Sequence, residues 1–234
     1  MLVDVVLYSG ERDLLDARLD MIHADLTVVI EGNKTFTGKP RTIERLPDHV
    51  VHVQIDTESD SDPWHNEYCQ RRDGYSVLEE LDIPDEAMVG FFDVDEIPDP
   101  GVLRYSQGLS CWFMAKHQMS LRWFQQKEDT GVSGRWGQIK HLDMAQVRWN
   151  RSNLPKLDAG FHLSSFLTVE DLLQKWSGFS HQEFQRLDMA DWIAHCWEYG
   201  IAIETGLPLD ERGLQNIPDR LLSGPEFWLR ARPS

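Results

Sequence analysis

The sequence predicts an α/β protein built on a parallel-rich sheet with helices on both faces. Short apolar, β-rich runs recur along the first hundred residues, at VDVVLYSG (3–10), LTVVIEG (26–32), VVHVQID (50–56) and AMVGFFDVD (87–95). Between the first two, ERDLLDARLDMIHA places Leu14, Leu15, Leu19 and Ile22 on one helical face. Between the last two, HNEYCQRRDGYSVLEEL does the same with Tyr68, Tyr75, Leu78 and Leu81, with a break expected near Gly74. Strands alternating with helices pack as a sheet covered on both sides, and such sheets bind ligands at the carboxyl ends of their strands. Glu31 and Asp93 stand at two of those ends.

After Pro100 the pattern changes. LSCWFMAKHQMSLRWFQQ reads as one or two strands, and KEDTGVSGRWGQIK as a glycine-containing loop presenting the indole of Trp136. TVEDLLQKWSGF predicts a helix capped by Thr168, and MADWIAHCWEYG a helix ending at Gly200. The prolines at 208, 218, 225 and 233 predict an irregular tail from Leu207 onward.

With 234 residues, 41% of them hydrophobic, the chain suits one domain over 1–234. Its net charge of -16 disfavours broad binding to polyphosphate backbones but leaves room for a nucleotide in a local pocket. No apolar run is long enough for a membrane span, and the N-terminus lacks a basic, cleavable leader. Cys69, Cys111 and Cys196 form no CxxC pair, so neither a disulfide framework nor a zinc knuckle is expected, and a cytoplasmic location is the default.

The stretch MVGFFDVDEIPDP (88–100) crowds Asp93, Asp95 and Glu96 at a strand end. Like charges this close repel unless a cation, a proton or bulk water offsets them. A solvated acidic turn is one reading. A calcium loop fits poorly, because Pro98 and Arg104 stand where an EF-hand needs Gly and Glu. A DxD phosphohydrolase normally closes its first strand with the motif, whereas here it closes about the fourth. The DxD of nucleotide-sugar glycosyltransferases remains, where carboxylates hold a divalent cation against a diphosphate.

Five blocks support that last reading: ERDLLDARLDMI, VVIEGNKTFTGKPR, WHNEYCQRRD, FFDVDEIP, and LDAGFHLSSF followed by KWSGFSHQEF. In this order, over about residues 8–184, the chain resembles the family 17 glycosyltransferases. It departs from the family in having Phe161 where Trp is usual, and the middle between Leu121 and Lys156 matches poorly. The resemblance implies a GT-A type fold, a Rossmann-like mixed, largely parallel sheet flanked by helices. It divides the chain into a nucleotide-sugar half (about 1–100), an acceptor half (about 101–206) and the tail (207–234). It also implies transfer of a sugar, N-acetylglucosamine in the family, from a UDP-sugar with inversion and with Mn2+ or Mg2+. The acceptor stays open between a glycan, a glycolipid and another hydroxyl-bearing molecule such as a modified nucleobase.

On that resemblance Asp93, Asp95 and His162 are the candidate metal ligands, and Glu31, Asn33, Arg71 and Asp93 the donor-binding residues. Each has a plainer alternative. Glu31 and Asn33 suit an ordinary turn, Arg71 an ion pair with Glu67 one helical turn away, and His162 a satisfied core position. Trp64 reads as packing, and His181 as an organiser of the helix that follows it. Inversion needs a base for the acceptor hydroxyl. Asp158, four residues before His162, is the candidate, with Glu128 and Asp129 as alternatives and a surface aspartate as the plain reading. Two other functions stay open: a DxD phosphohydrolase, and a sugar- or nucleotide-binding module without turnover.

Overall fold

The computed structural model describes residues 1–56 and 60–229. In chain order the elements are β1 (Leu2–Tyr8), α1 (Arg12–Ile22), β2 (Leu26–Gly32), β3 (Val51–Ile55), α2 (Pro63–Ser76), β4 (Met88–Asp93), β5 (Glu96–Ile97), α3 (Pro100–Tyr105) and β6 (Ser110–Gln118). They continue as β7 (Trp123–Arg135), α4 (Trp136–Ile139), α5 (Met144–Trp149), β8 (Lys156–Leu157), β9 (Phe161–Ser164), α6 (Val169–Gly178), α7 (Met189–Tyr199), β10 (Asp210–Glu211) and α8 (Asp219–Leu222).

The main path of the sheet runs β3-β2-β1-β4-β7-β6-β9-β5. Its first four strands are parallel, as the alternation of strand and helix requires. Strand β7 then enters antiparallel to β4 and to β6, and β5 pairs antiparallel with β9, so the sheet is mixed. Strand β1 is buried along its whole length. Val3, Val5 and Leu7 join a core under α2 and α5, while Val6 and Tyr8 join one under α1 and α8. This period of two explains why the central strands read as unbroken apolar runs.

Three expectations are corrected. The second predicted helix passes through Gly74 and changes to a 3-10 turn only at Val77. The loop expected over 127–140 is instead the second part of the 13-residue strand β7, followed directly by α4. Gly131 sits there because a Cβ would lie 2.0 Å from a ring carbon of Phe92, so its glycine marks close packing and not a turn. Trp136 begins α4 and is 6% exposed, part of the core and not a solvent-facing indole.

Thr168 caps α6 by accepting from Asp171 N at 3.2 Å, and α7 ends on Gly200 at φ 63°. From Leu207 to Leu229 the chain forms only the two-residue β10, the four-residue α8 and a 3-10 turn, and the end of the tail lies outside the described residues. All three cysteines are free. Among the described residues no helix is long and apolar enough to cross a membrane.

Candidate active site

The Asp93–Glu96 turn lies where β4 leaves the sheet, and backbone bonds pin it on both sides. Val94 N donates to Leu7 O at 3.0 Å, and Leu163 N donates to Asp95 O at 2.7 Å. Within the turn, Asp93 N donates to Glu96 Oε2 at 2.8 Å. Glu96 pairs with His162 across β5 and β9, which brings the acidic turn and the later histidine block together. Gly160 makes this approach possible. Its φ is +89°, and a Cβ there would meet Ile97 O at 2.5 Å.

Cations converge on the turn. Arg71 Nη1 reaches Asp93 Oδ1 at 2.6 Å, and Arg148 Nη2 reaches Asp93 Oδ2 at 2.7 Å and Glu96 Oε1 at 2.8 Å. Burial works against ionised Asp93, but Arg148 and then Arg71 outweigh it and hold the carboxyl well below its usual range. Arg71 also bonds Glu67 Oε1 at 2.7 Å, so the expected i, i+4 pair and the reach to the acidic turn are both present. With both oxygens held by guanidinium groups, Asp93 is an arginine partner in this structure.

Asp95 has different neighbours. Lys175 Nζ lies 3.6 Å and His162 Nε2 3.7 Å from its Oδ2. Against the cost of burial, Lys175 and then His162 keep its pKa at about 2. Lys175 also pairs with Glu11 at 2.5 Å, and His162 Nδ1 contacts Glu128 Oε1. Burial disfavours a charged imidazole, yet Asp95 and Glu128 together raise His162 to about 10.

Asp93, Asp95, Arg71 and His162 all line one cavity of about 880 Å³ at the carboxyl ends of the strands. Asp158 does not line it; it is exposed and pairs with Lys127 at 2.5 Å. Glu128 and Asp129 do line it. Nor do Glu31 and Asn33 face either this cavity or the neighbouring one of about 540 Å³, which Arg41 and Gln70 line. Asn33 Nδ2 bonds Asp56 at 2.7 Å, and Glu31, fully buried, backs Arg41 at 3.3 Å and His52 at 3.0 Å. Sequence reasoning missed Arg148, Lys175 and Glu11. The last two fall inside the KWSGF and ERD blocks and were open to notice, whereas Arg148 lies in the poorly matching middle.

Burial raises the Glu31 carboxyl from 4.5 to about 7 despite Arg41, and burial lowers His52. Near neutral pH a protonated Glu31 can donate to a neutral His52 ring. Because the folded-state pKa is raised, the fold binds the extra proton between about pH 4.5 and 7, and stability should fall as pH rises through that window. A shift of this size corresponds to about 3–4 kcal/mol. Glu31→Gln should flatten this dependence and melt higher than the wild type above pH 7. Parallel pH–stability curves for the two proteins would remove Glu31 as its source.

At the strand ends the acidic turn is thus matched by arginine and lysine side chains that line the same cavity. The profile of Glycosyltransferase family 17 matches residues 1–195. The chain belongs to glycosyltransferase family 17. Comparison with curated proteins found no match. Membership makes the protein a transferase that takes a sugar from a donor to an acceptor, and the matched region contains the acidic turn together with Arg71, Arg148, His162 and Lys175.

Proposed function

We propose that this family 17 glycosyltransferase moves N-acetylglucosamine from its UDP-sugar to an acceptor hydroxyl with inversion, in the cavity built around the Asp93–Glu96 turn. The observation that carries this reading is the set of cations, buried Arg71 and Arg148 and half-buried Lys175, focused on that turn at the strand ends. Arg71 and Lys175 are placed to meet the negative charge of a departing diphosphate in a low-dielectric site.

Among the described residues no three His, Cys, Asp or Glu side chains form a ready-made metal cage. The donor set nevertheless fits a divalent cation that phosphate oxygens would help to hold. Asp95 offers a carboxylate oxygen, and His162 would offer its Nε2 once the cation displaces the proton that Asp95 and Glu128 hold on the ring in the metal-free protein. Glu128 on Nδ1 supplies the carboxylate backing that metal-binding imidazoles commonly have. In this reading Asp95 and His162 hold the Mn2+ or Mg2+, and Asp93 acts through its arginines. When bound, the cation would neutralise charge on the leaving diphosphate. Asp158 lies outside the cavity, and the base is assigned to the cavity wall, where Glu128 is engaged by His162 and Lys116 and Asp129 is the other carboxylate in reach.

Incubating the protein with UDP-N-acetylglucosamine and Mn2+ should release UDP faster when an acceptor is added. Calorimetry should show UDP affinity falling at least about tenfold with chelator, the change expected when about 1.4 kcal/mol of bridging interaction is lost. Equal affinity with and without chelator would end the metal assignment. Saturable UDP binding with no release under any acceptor would leave a binding module.

A further inference from the structure

Of the exposed large apolar side chains among the described residues, Trp149 alone lines the cavity that holds the acidic turn. It is 56% exposed, although an indole in water is unfavourable. The ring is nevertheless fixed. Its edge-to-face partner Trp64 lies 5.7 Å away at 89°, and Trp64 in turn meets the ring of His181 at 4.4 Å and 82°. His181 stacks on Phe184 at 5.3 Å.

The helix carrying Trp149 is fastened to the reaction centre from two sides. Arg148, the preceding residue, is buried against Asp93 and Glu96. Asp143 caps α5 by accepting from Gln146 N at 3.0 Å, and its other oxygen accepts from Tyr68 of α2 at 2.5 Å. Arg151, on the turn after α5, lines the same cavity and adds a polar rim.

We infer that Trp149 is the platform for the acceptor, stacking on the apolar C–H face of one of its pyranose rings. This rests on the glycosyl-transfer reading. The chemistry favours a sugar because a pyranose presents a flat apolar face ringed by hydroxyls, which matches an indole bordered by charged groups. Position favours the acceptor. The smaller cavity, at the ends of β1 and β2, shares Ser9, Glu11, Phe36, Lys175 and Phe179 with the larger one. On the glycosyl-transfer reading the donor nucleotide is assigned to that side, because α/β sheets take nucleotides at the ends of their first parallel strands. Trp149 and Trp64 line the larger cavity only. A rigid aromatic face needs no ordering when the ring arrives, so more of the contact appears as affinity.

The test uses saturation-transfer NMR on the full chain with methyl mannoside, lactose, N-acetyllactosamine and chitobiose as probes, and calorimetry with UDP and Mn2+ in parallel. The wild type should bind at least one saccharide. Trp149→Ala should weaken that binding about tenfold or more, as truncation of an aromatic anchor commonly does. Trp149→Phe should restore part of it. UDP affinity should not change, because Trp149 does not line the smaller cavity. Melting temperature should fall by no more than the loss of one edge-to-face contact with Trp64 allows. Saccharide affinity unaltered in Trp149→Ala, no saccharide bound by the wild type, or a loss of UDP affinity instead would each overturn the assignment. Failure of the transferase reading has a separate signature: a wild type that neither binds UDP nor turns over a UDP-sugar, whatever the saccharides do.

Discussion

Asp95→Asn should lower the rate of sugar transfer by at least about 10²–10³-fold, the range seen when one preorganised electrostatic group is removed from an active site. The carboxylate is held ionised, at about 2, by Lys175 and His162, so it carries a full negative charge at any working pH. Asparagine keeps the shape and removes that charge. The fold should tolerate the change, because each of the two cations has another carboxylate, Glu11 for Lys175 and Glu128 for His162. The backbone bond from Leu163 N to Asp95 O does not involve the side chain. Single-turnover rates and melting curves of the purified variant would separate the effects. Transfer at the wild-type rate would remove Asp95 from the chemistry, and a collapse in melting temperature would make it a structural carboxylate.

The strand ends were legible because burial on both faces turns β1, β2 and β4 into apolar runs that stop abruptly, and the acidic turn stands where β4 stops. Pairing with the distant His162 was legible only through the similarity to known blocks, since no local period links Asp95 to a residue on β9. Two kinds of information were hidden. Trp136 and Trp149 both sit among polar residues in sequence, yet one is buried in the core and the other is exposed in the cavity. Tertiary packing decides that, and the local pattern does not contain it. Two arginines were hidden for a related reason: Arg18 and Arg148 look like surface charge, and only the fold supplies the carboxylates that let them be buried. Asp158 shows the converse, because nearness in sequence to His162 did not bring it into the cavity. Gly160 redirects the chain between them, and the aspartate is left facing Lys127.

The largest stability effect should follow from Arg18, whose guanidinium is fully buried between α1 and β1. Its Nε and Nη2 donate to both oxygens of Asp4, at 2.8 and 2.6 Å, and its Nη1 donates to Glu96 O in the acidic turn. The guanidinium also lies 5.1 Å from the centre of the Phe92 ring. Arg18→Met should cost about 3–5 kcal/mol, because Asp4, itself 1% exposed, would be left as an uncompensated charge in the core. Asp4→Leu should cost a similar amount by stranding Arg18. Replacing both together should cost much less than the sum, since an apolar pair of similar volume removes the desolvation penalty along with the attraction. The Glu96 carbonyl would still lose its donor in the double variant. Sugar transfer should therefore remain impaired after stability is regained, because the turn that carries Asp95 is less firmly placed. Denaturant titration of the four proteins measures the coupling, and transfer rates at a temperature where all are folded measure the second effect. Additive losses of stability would show that the pair is not coupled, and full activity in the stable double variant would show that Arg18 does not position the turn.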